Sequence, residues 1–156
     1  MQWWKLIITV ILSEIAGGIG SIFTSQSVST WYSTLNKPAF SPPNYLFAPV
    51  WTILYLLMGI AAYLVWQKGL VELTAKIAFG LFWFQLVLNV LWSYLFFRRQ
   101  NPLAGFLEII LLWGAILATT IYFFKVSRAA GYLMIPYLLW VTFAALLNFF
   151  IWRLNP

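Results

Sequence analysis

Few residues in this chain could take part in acid–base or metal chemistry. The 156 residues include no Cys and no His, and the three acids, Glu14, Glu72 and Glu108, lie on three different segments. General acid–base catalysis needs titratable groups that share a site, and protein metal sites draw on His, Cys and clustered carboxylates. We therefore predict no metal site and no conventional catalytic constellation, which argues against a hydrolase, a kinase or a metalloenzyme.

Aromatic side chains are the recognition chemistry that remains. The chain has ten Trp, eight Tyr and fourteen Phe, far more than the ends of membrane helices need. Trp51, Trp92 and Trp140 fall inside apolar segments, where a place at the membrane interface does not account for them. Aromatic walls with a few polar groups suit a flat hydrophobic ligand, such as a porphyrin or a sterol.

The segments that must position these residues are membrane helices. Apolar residues make up 63% of the chain and charged residues 8%, whereas soluble domains average roughly 45–50% and about 25%. A helix needs about 20 apolar residues to cross the bilayer. We predict an all-α integral membrane protein, a single domain over residues 1–156. Its five transmembrane helices should lie near residues 3–24, 46–66, 76–97, 103–124 and 129–152, with a long structured first loop at 25–45.

The net charge of +6 comes from residues at the ends of these spans. Such residues contact lipid headgroups, so we expect a bilayer as partner and no nucleic acid.

Polar residues inside the spans need partners, because lipid offers none. Gln85 and Asn89 lie one turn apart on the third span. For Gln85 we favour hydrogen bonding between helices, whereas for Asn89 helix contact and ligand contact both stay open. On the fifth span, Trp140, Ala144 and Asn148 follow one another at four-residue steps. The small side chain of Ala144 leaves a gap for a flat ligand or for another helix.

Two acids also fall within spans. Glu14 lies near mid-span, so we expect it to be protonated or bonded to a neighbouring helix, and a proton relay is the weaker option. Glu108 lies close to a membrane edge, where hydration or a partner such as Arg98 or Arg99 is expected.

Small residues on the first span, Ala16 with Gly20 and Gly17 with Ser21, allow another helix to approach closely. We favour packing within the same bundle over a dimer interface.

The first loop is too apolar for a solvated connector. Residues 31–51 hold four prolines, which exclude a continuous helix, and a single charge, Lys37. They also carry the apolar side chains of Trp31, Tyr32, Leu35, Phe40, Tyr45, Phe47 and Trp51. This pattern favours a stiff lid that lies over an apolar pocket.

Three stretches resemble the translocator protein family (TspO/MBR), which includes the bacterial tryptophan-rich sensory proteins and the mitochondrial peripheral benzodiazepine receptor. They are WYSTLNKPAFSPPNYLFAPVWTILYLLMGIAAYLVW at residues 31–66, QLVLNVLWSYLFF at 85–97 and IPYLLWVTFAALLNFFIWRLNP at 135–156. The element W-Y-x-x-L-x-K-P-x-x-x-P-P in the first stretch is highly specific, and the resemblance covers nearly the whole chain.

The resemblance implies a five-helix membrane protein, commonly a homodimer, whose cavity binds porphyrins, sterols or benzodiazepine-type drugs beneath the first loop. It implies no obligatory cofactor, protoporphyrin IX or a related tetrapyrrole as ligand, and a bacterial cell membrane rather than a mitochondrial outer membrane. The ligand-site positions of the family fall on Tyr32, Pro42, Trp51, Tyr55, Asn89, Trp92, Trp140 and Ala144. Tyr32 and Pro42 of the lid should then face Trp51, Asn89 and Trp140.

One departure from the family concerns its sterol-recognition pattern, which has a Tyr before a basic residue at the end of the fifth span. Here Phe149 and Phe150 precede Arg153, so we expect a tetrapyrrole in preference to a sterol.

Three functions follow from the resemblance. The first is ligand binding for sensing or transfer. The second is the light- and oxygen-dependent degradation of protoporphyrin, in which Trp51 and Trp140 match the implicated tryptophans. The third, transport of porphyrin or sterol, is less favoured because five spans do not divide into two equal repeats.

Overall fold

The computed structural model describes residues 1–156 and confirms the all-α fold. Its helices are α1 (Trp3–Ser25), α2 (Trp31–Thr34), α3 (Phe47–Gln67), α4 (Leu73–Ser93), α5 (Pro102–Val126) and α6 (Arg128–Leu154). All but the short α2 are long and apolar enough to cross a membrane. The largest differences from the predicted bounds are at α4, which begins at Leu73 rather than at residue 76, because Thr74 and Ala75 continue the helix beyond the charge of Lys76. It ends at Ser93 rather than at residue 97, because the last turn of the predicted span is π-helical.

The five long helices form one bundle in which α1 contacts α3 and α4, and α6 contacts α3 and α5. The bundle core holds large apolar side chains that are fully buried, including Met58, Phe82 and Ile116. A Cβ atom added to Gly59 would lie 2.6 Å from the Cα atom of Val10. Gly59 therefore lets the backbones of α1 and α3 approach closely, as small residues do between membrane helices.

The end of α4 widens into a π-helical turn at Tyr94–Arg98. Such turns hold an extra residue and are frequent at functional sites. This one turns Phe96 and Phe97 into the bundle, where both are buried. Gly105 on α5 leaves room for them, since a Cβ atom there would lie 2.7 Å from the Phe96 ring.

The first loop packs against the helix ends on the side of the C-terminus. The Ser27 hydroxyl donates to the Phe97 carbonyl at 2.8 Å. The Asn36 backbone N–H donates to the Asn155 side-chain oxygen at 3.0 Å, and the Asn155 amide donates back to the Asn36 carbonyl at 2.8 Å. The ring of Phe40 lies 5.6 Å from that of Phe150. The loop is therefore structured, as predicted, and these contacts hold it at both ends.

Candidate ligand-binding cavity

A cavity of about 460 Å³ lies beneath the first loop, between α1, α3, α4 and α6. Its lining includes all of the predicted site residues except Pro42, namely Tyr32, Trp51, Tyr55, Asn89, Trp92, Trp140 and Ala144. Packing thus brings together residues from the loop and from three helices. The two that are furthest apart in the sequence, Tyr32 and Ala144, are separated by 112 positions.

Pro42 does not line the cavity. It is half-buried between Phe40, which packs on α6, and Asn44, which reaches the cavity. The expectation that Pro42 faces Trp51, Asn89 and Trp140 is wrong, because Asn44, two residues further along the loop, supplies the lining side chain there. Tyr32 does face the cavity and is only 2% exposed.

Trp51 is the centre of the aromatic wall. Its ring centroid lies 5.7 Å from that of Tyr55, 6.2 Å from Tyr137 and 6.5 Å from both Trp92 and Trp140. These separations are those of favourable aromatic pairs. The wall therefore has a fixed shape before any ligand binds.

Three tryptophans line the cavity, and they differ in the use of their indole N–H groups. Trp92 uses its N–H within the protein, donating to the Asn148 side-chain oxygen at 3.1 Å. The Asn148 amide in turn donates to the Ala144 carbonyl at 2.9 Å, which ties α4 to α6. Trp51 and Trp140 also line the cavity, and their indole N–H groups form no hydrogen bond within the protein.

A chain of buried hydrogen bonds joins α3, α4 and α6 behind the aromatic wall. The Tyr55 hydroxyl donates to the Asn89 side-chain oxygen at 2.7 Å, and the Asn89 amide donates to the Tyr137 hydroxyl. Tyr137 donates to the Gln85 side-chain oxygen at 2.9 Å. Gln85 therefore bonds between helices, as favoured above. Asn89 lines the cavity, yet both ends of its amide are already paired.

The α1 face of the cavity was missed from the sequence. It consists of Glu14, Gly17, Gly18, Gly20, Ser21, Thr24 and Ser25. A Cβ atom on Gly17 would lie 2.6 Å from the Tyr55 ring, so part of this face does serve close helix packing, as expected. The available signal was the spacing of Glu14, Gly17 or Gly18, Ser21 and Ser25, which places a carboxyl group on the same helix face as the small residues.

Glu14 is the only charged side chain that lines the cavity. It is half-buried and forms no hydrogen bond or ion pair with the protein. Of the two expectations, the bond to a neighbouring helix is therefore wrong, and protonation stays a prediction. The reason is geometric, since Gly17, which follows it on α1, packs against Tyr55, whose hydroxyl is already bonded to Asn89.

Glu108 lies outside the cavity and is 7% exposed, with both carboxyl oxygens unpaired. The expected hydration and the expected partners, Arg98 and Arg99, are wrong. Both arginines are exposed at the end of α4, whereas Glu108 points into the bundle.

Tyr32 anchors the loop over the cavity. Its ring lies 5.7 Å from that of Phe97 and 6.2 Å from that of Phe47, and the Lys37 ammonium lies 4.7 Å from its centroid. Burial raises the pKa of the Tyr32 hydroxyl to about 12. The side chain is therefore neutral at physiological pH and acts as an apolar anchor.

Comparison with known proteins finds relatives over nearly the whole chain. Residues 8–153 match the model of the TspO/MBR family. The chain is 47% identical to the tryptophan-rich protein TspO of Archaeoglobus fulgidus, over 99% of each chain. It is 42% identical to protein CrtK of Rhodobacter capsulatus, over 90% of this chain and 86% of that protein. It is 38% identical to the human translocator protein, over 88% of this chain and 82% of that protein.

The archaeal and bacterial relatives and the five spans together identify a multi-pass integral membrane protein of a prokaryotic membrane. With a match over nearly its full length, the chain belongs to the TspO/MBR family.

Proposed function

We propose that this protein binds a flat hydrophobic ligand of the tetrapyrrole type in the cavity under the first loop, for sensing or transfer. The observation that carries the proposal is the wall around Trp51, in which three helices present aromatic rings to one cavity of about 460 Å³. Ligand pockets have volumes of roughly 300–1,000 Å³ and are mostly apolar with a few placed polar groups.

Burial of the ring system supplies the affinity in this proposal. Apolar surface removed from water contributes about 25 cal/mol per Å². Aromatic walls add edge and stacking contacts, and the free indole N–H groups of Trp51 and Trp140 give the ligand a fixed orientation. Because the loop is already packed through Tyr32 and Phe40, the cavity is preorganised, which lowers the entropic cost of binding.

The ligand carboxylates would lie outside the aromatic wall. No Lys or Arg lines the cavity, so nothing inside it pairs with a propionate. The exposed lining residues include Ser21 and Ser25 on α1 and Thr52 on α3. We place the propionate groups at this opening, where hydroxyl groups and lipid headgroups or water can solvate them.

Titration of the purified protein with protoporphyrin IX tests the proposal. We expect saturable binding, followed by the porphyrin absorbance, that is lost in the Trp51→Ala, Trp140→Ala double variant. The matched control is Trp3→Ala, Trp4→Ala, which removes two exposed tryptophans that lie outside the cavity. Full-strength binding by the cavity variant would overturn the proposal.

A second candidate is the degradation of bound protoporphyrin in light and oxygen. The observation that favours it is the approach of Trp51 and Trp140, whose rings lie 6.5 Å apart at an interplanar angle of 89° and both line the cavity. Tryptophans in contact with a light-excited porphyrin can donate electrons to it. Illumination in air should then yield a new absorbing product with turnover. Equal bleaching by a Trp51→Phe, Trp140→Phe variant would exclude a role for the two residues.

We also propose that the protein forms homodimers, as the family resemblance implies. Light scattering of the detergent-solubilised protein tests this, and a monomer mass at all protein concentrations would contradict it.

A further inference from the structure

Glu14 lines the cavity, but the ligand site proposed above assigns it no role. It lies on α1 about 16 Å from the start of the helix at 1.5 Å per residue, near the middle of a bilayer about 30 Å thick. Ionisable residues at this depth are costly and usually face a partner or a cavity. Glu14 faces the cavity and has no partner in the protein.

The surroundings of Glu14 leave its carboxyl group accessible to a ligand. Gly17 and Gly18, one turn further along the same face, have no side chain to cover it. The nearest polar wall is already occupied, because the Tyr55 hydroxyl donates to Asn89 at 2.7 Å and the Asn89 amide donates to Tyr137. Glu14 is thus the unpaired acceptor at the inner end of the cavity.

The charge of the cavity points to the chemistry of the ligand. The other titratable groups that line it are Tyr32 and Tyr55, which are buried and neutral, and no Lys or Arg lines it. A carboxylate without a counter-ion attracts an ammonium group or an N–H donor and repels an anion, and charge-assisted hydrogen bonds are about twice as strong as neutral ones.

We propose that Glu14 is a specificity-determining residue that selects flat apolar ligands carrying a basic nitrogen over ligands of the same shape with a carboxylate at that position. The nitrogen donates to the Glu14 carboxyl group while the ring system lies against the wall around Trp51. A ligand with basic side chains therefore turns them toward Glu14, whereas a dicarboxylate keeps its propionates at the opening. This inference rests on the proposed function and adds the polar group that the ligand presents to α1.

A porphyrin series with one ring system and three side-chain charges tests the inference. The probes are protoporphyrin IX, its neutral dimethyl ester, and its bis(2-aminoethyl)amide, which carries two ammonium groups. Dissociation constants are measured in neutral phosphatidylcholine nanodiscs for the wild type and for Glu14→Gln. The control is Glu72→Gln, which removes an exposed acid outside the cavity and equalises the net charge of the two variants.

We expect Glu14→Gln to weaken binding of the diamine about tenfold or more, the size of a hydrogen bond to a charged group. Binding of the ester should stay unchanged and that of the diacid should stay equal or become tighter. Glu72→Gln should change none of the three.

Two results would overturn the inference. If Glu14→Gln weakens all three probes equally, Glu14 only supports the structure. If the diamine keeps its affinity in Glu14→Gln, no contact exists. In both cases the ester still binds, so the proposed function stands. Failure of the wild type to bind any of the three probes would overturn the proposed function together with the inference.

Discussion

Two adjacent glycines on α1 provide a matched test of the cavity. A Cβ atom on Gly17 would lie 2.6 Å from both Cδ2 and Cε2 of Tyr55, whereas a Cβ atom on Gly18 would have no neighbour within 4 Å. Both residues line the cavity. Gly17→Ala and Gly18→Ala therefore add the same methyl group to the same helix, but only the first adds it against a side chain.

The expected difference follows from these distances. Carbon atoms in contact are about 3.5–4.0 Å apart, so the Tyr55 ring or α1 must move by about 1 Å in Gly17→Ala. Tyr55 is 4% exposed and its hydroxyl is bonded to Asn89, so the ring has little room. Overpacking of this kind costs about 1–3 kcal/mol. Replacing Gly by Ala in a helix gains up to about 1 kcal/mol, but this gain is common to both variants.

Unfolding in mixed detergent micelles measures the free energy of unfolding of both variants. We expect Gly17→Ala to be less stable than Gly18→Ala by about 1–3 kcal/mol. We also expect it to bind protoporphyrin more weakly, because Tyr55 lines the cavity next to Trp51 and its displacement changes the shape of the wall. Equal stabilities, or a less stable Gly18→Ala, would refute the packing of α1 against Tyr55 and with it this wall of the cavity.

Three further predictions concern the loop and the buried acid. Asn155→Ala removes two hydrogen bonds to the Asn36 backbone, and hydrogen exchange across residues 26–46 should become roughly tenfold faster; unchanged exchange would show that the aromatic contacts alone hold the loop. Difference absorbance titration of the wild type against Tyr32→Phe should show Tyr32 ionising with a pKa of about 12 instead of 10. Because burial favours the neutral hydroxyl, the contribution of Tyr32 to the free energy of unfolding should be complete below pH 10 and decrease as the pH rises toward 12. A titration midpoint of Tyr32 near pH 10 would contradict its burial. Glu108→Met replaces a buried carboxyl group that has no partner, and the free energy of unfolding should rise by about 1–3 kcal/mol. A less stable variant would mean that the carboxyl group has a hydrogen-bond partner inside the bundle.

Much of the site was predictable because its residues carry strong local signals. Trp51 and Tyr55 lie one turn apart on an apolar helix, as do Gln85 and Asn89 on another, and residues at that spacing share a face in any bundle. The prolines and aromatics of the first loop indicated a lid, and Tyr32 does cover the cavity. Pro42 was placed wrongly because its stretch of the loop has no helical period from which the direction of a side chain follows.

Glu14 and Glu108 show that local sequence patterns do not predict the partner of a polar side chain on a membrane helix. Glu14 and Glu108 both read as acids that need partners, and neither has one in the bundle. Whether a polar side chain on a membrane helix meets a helix, a cavity or lipid depends on the rotation of that helix against its neighbours. The first span is apolar around most of its circumference, so its sequence does not fix this rotation.

The sequence by itself determined the solvent and the fold class. The sparse charges and the long apolar runs require a bilayer, and in a bilayer every backbone N–H and C=O group must be paired within helices. Only the tertiary structure decided which helix faces enclose the cavity, because close packing at Gly17 and Gly59 sets how α1 rotates against α3. That rotation turns the small-residue face of α1, with Glu14, toward Trp51 and away from lipid, and it is a property of contacts between helices that no single helix encodes.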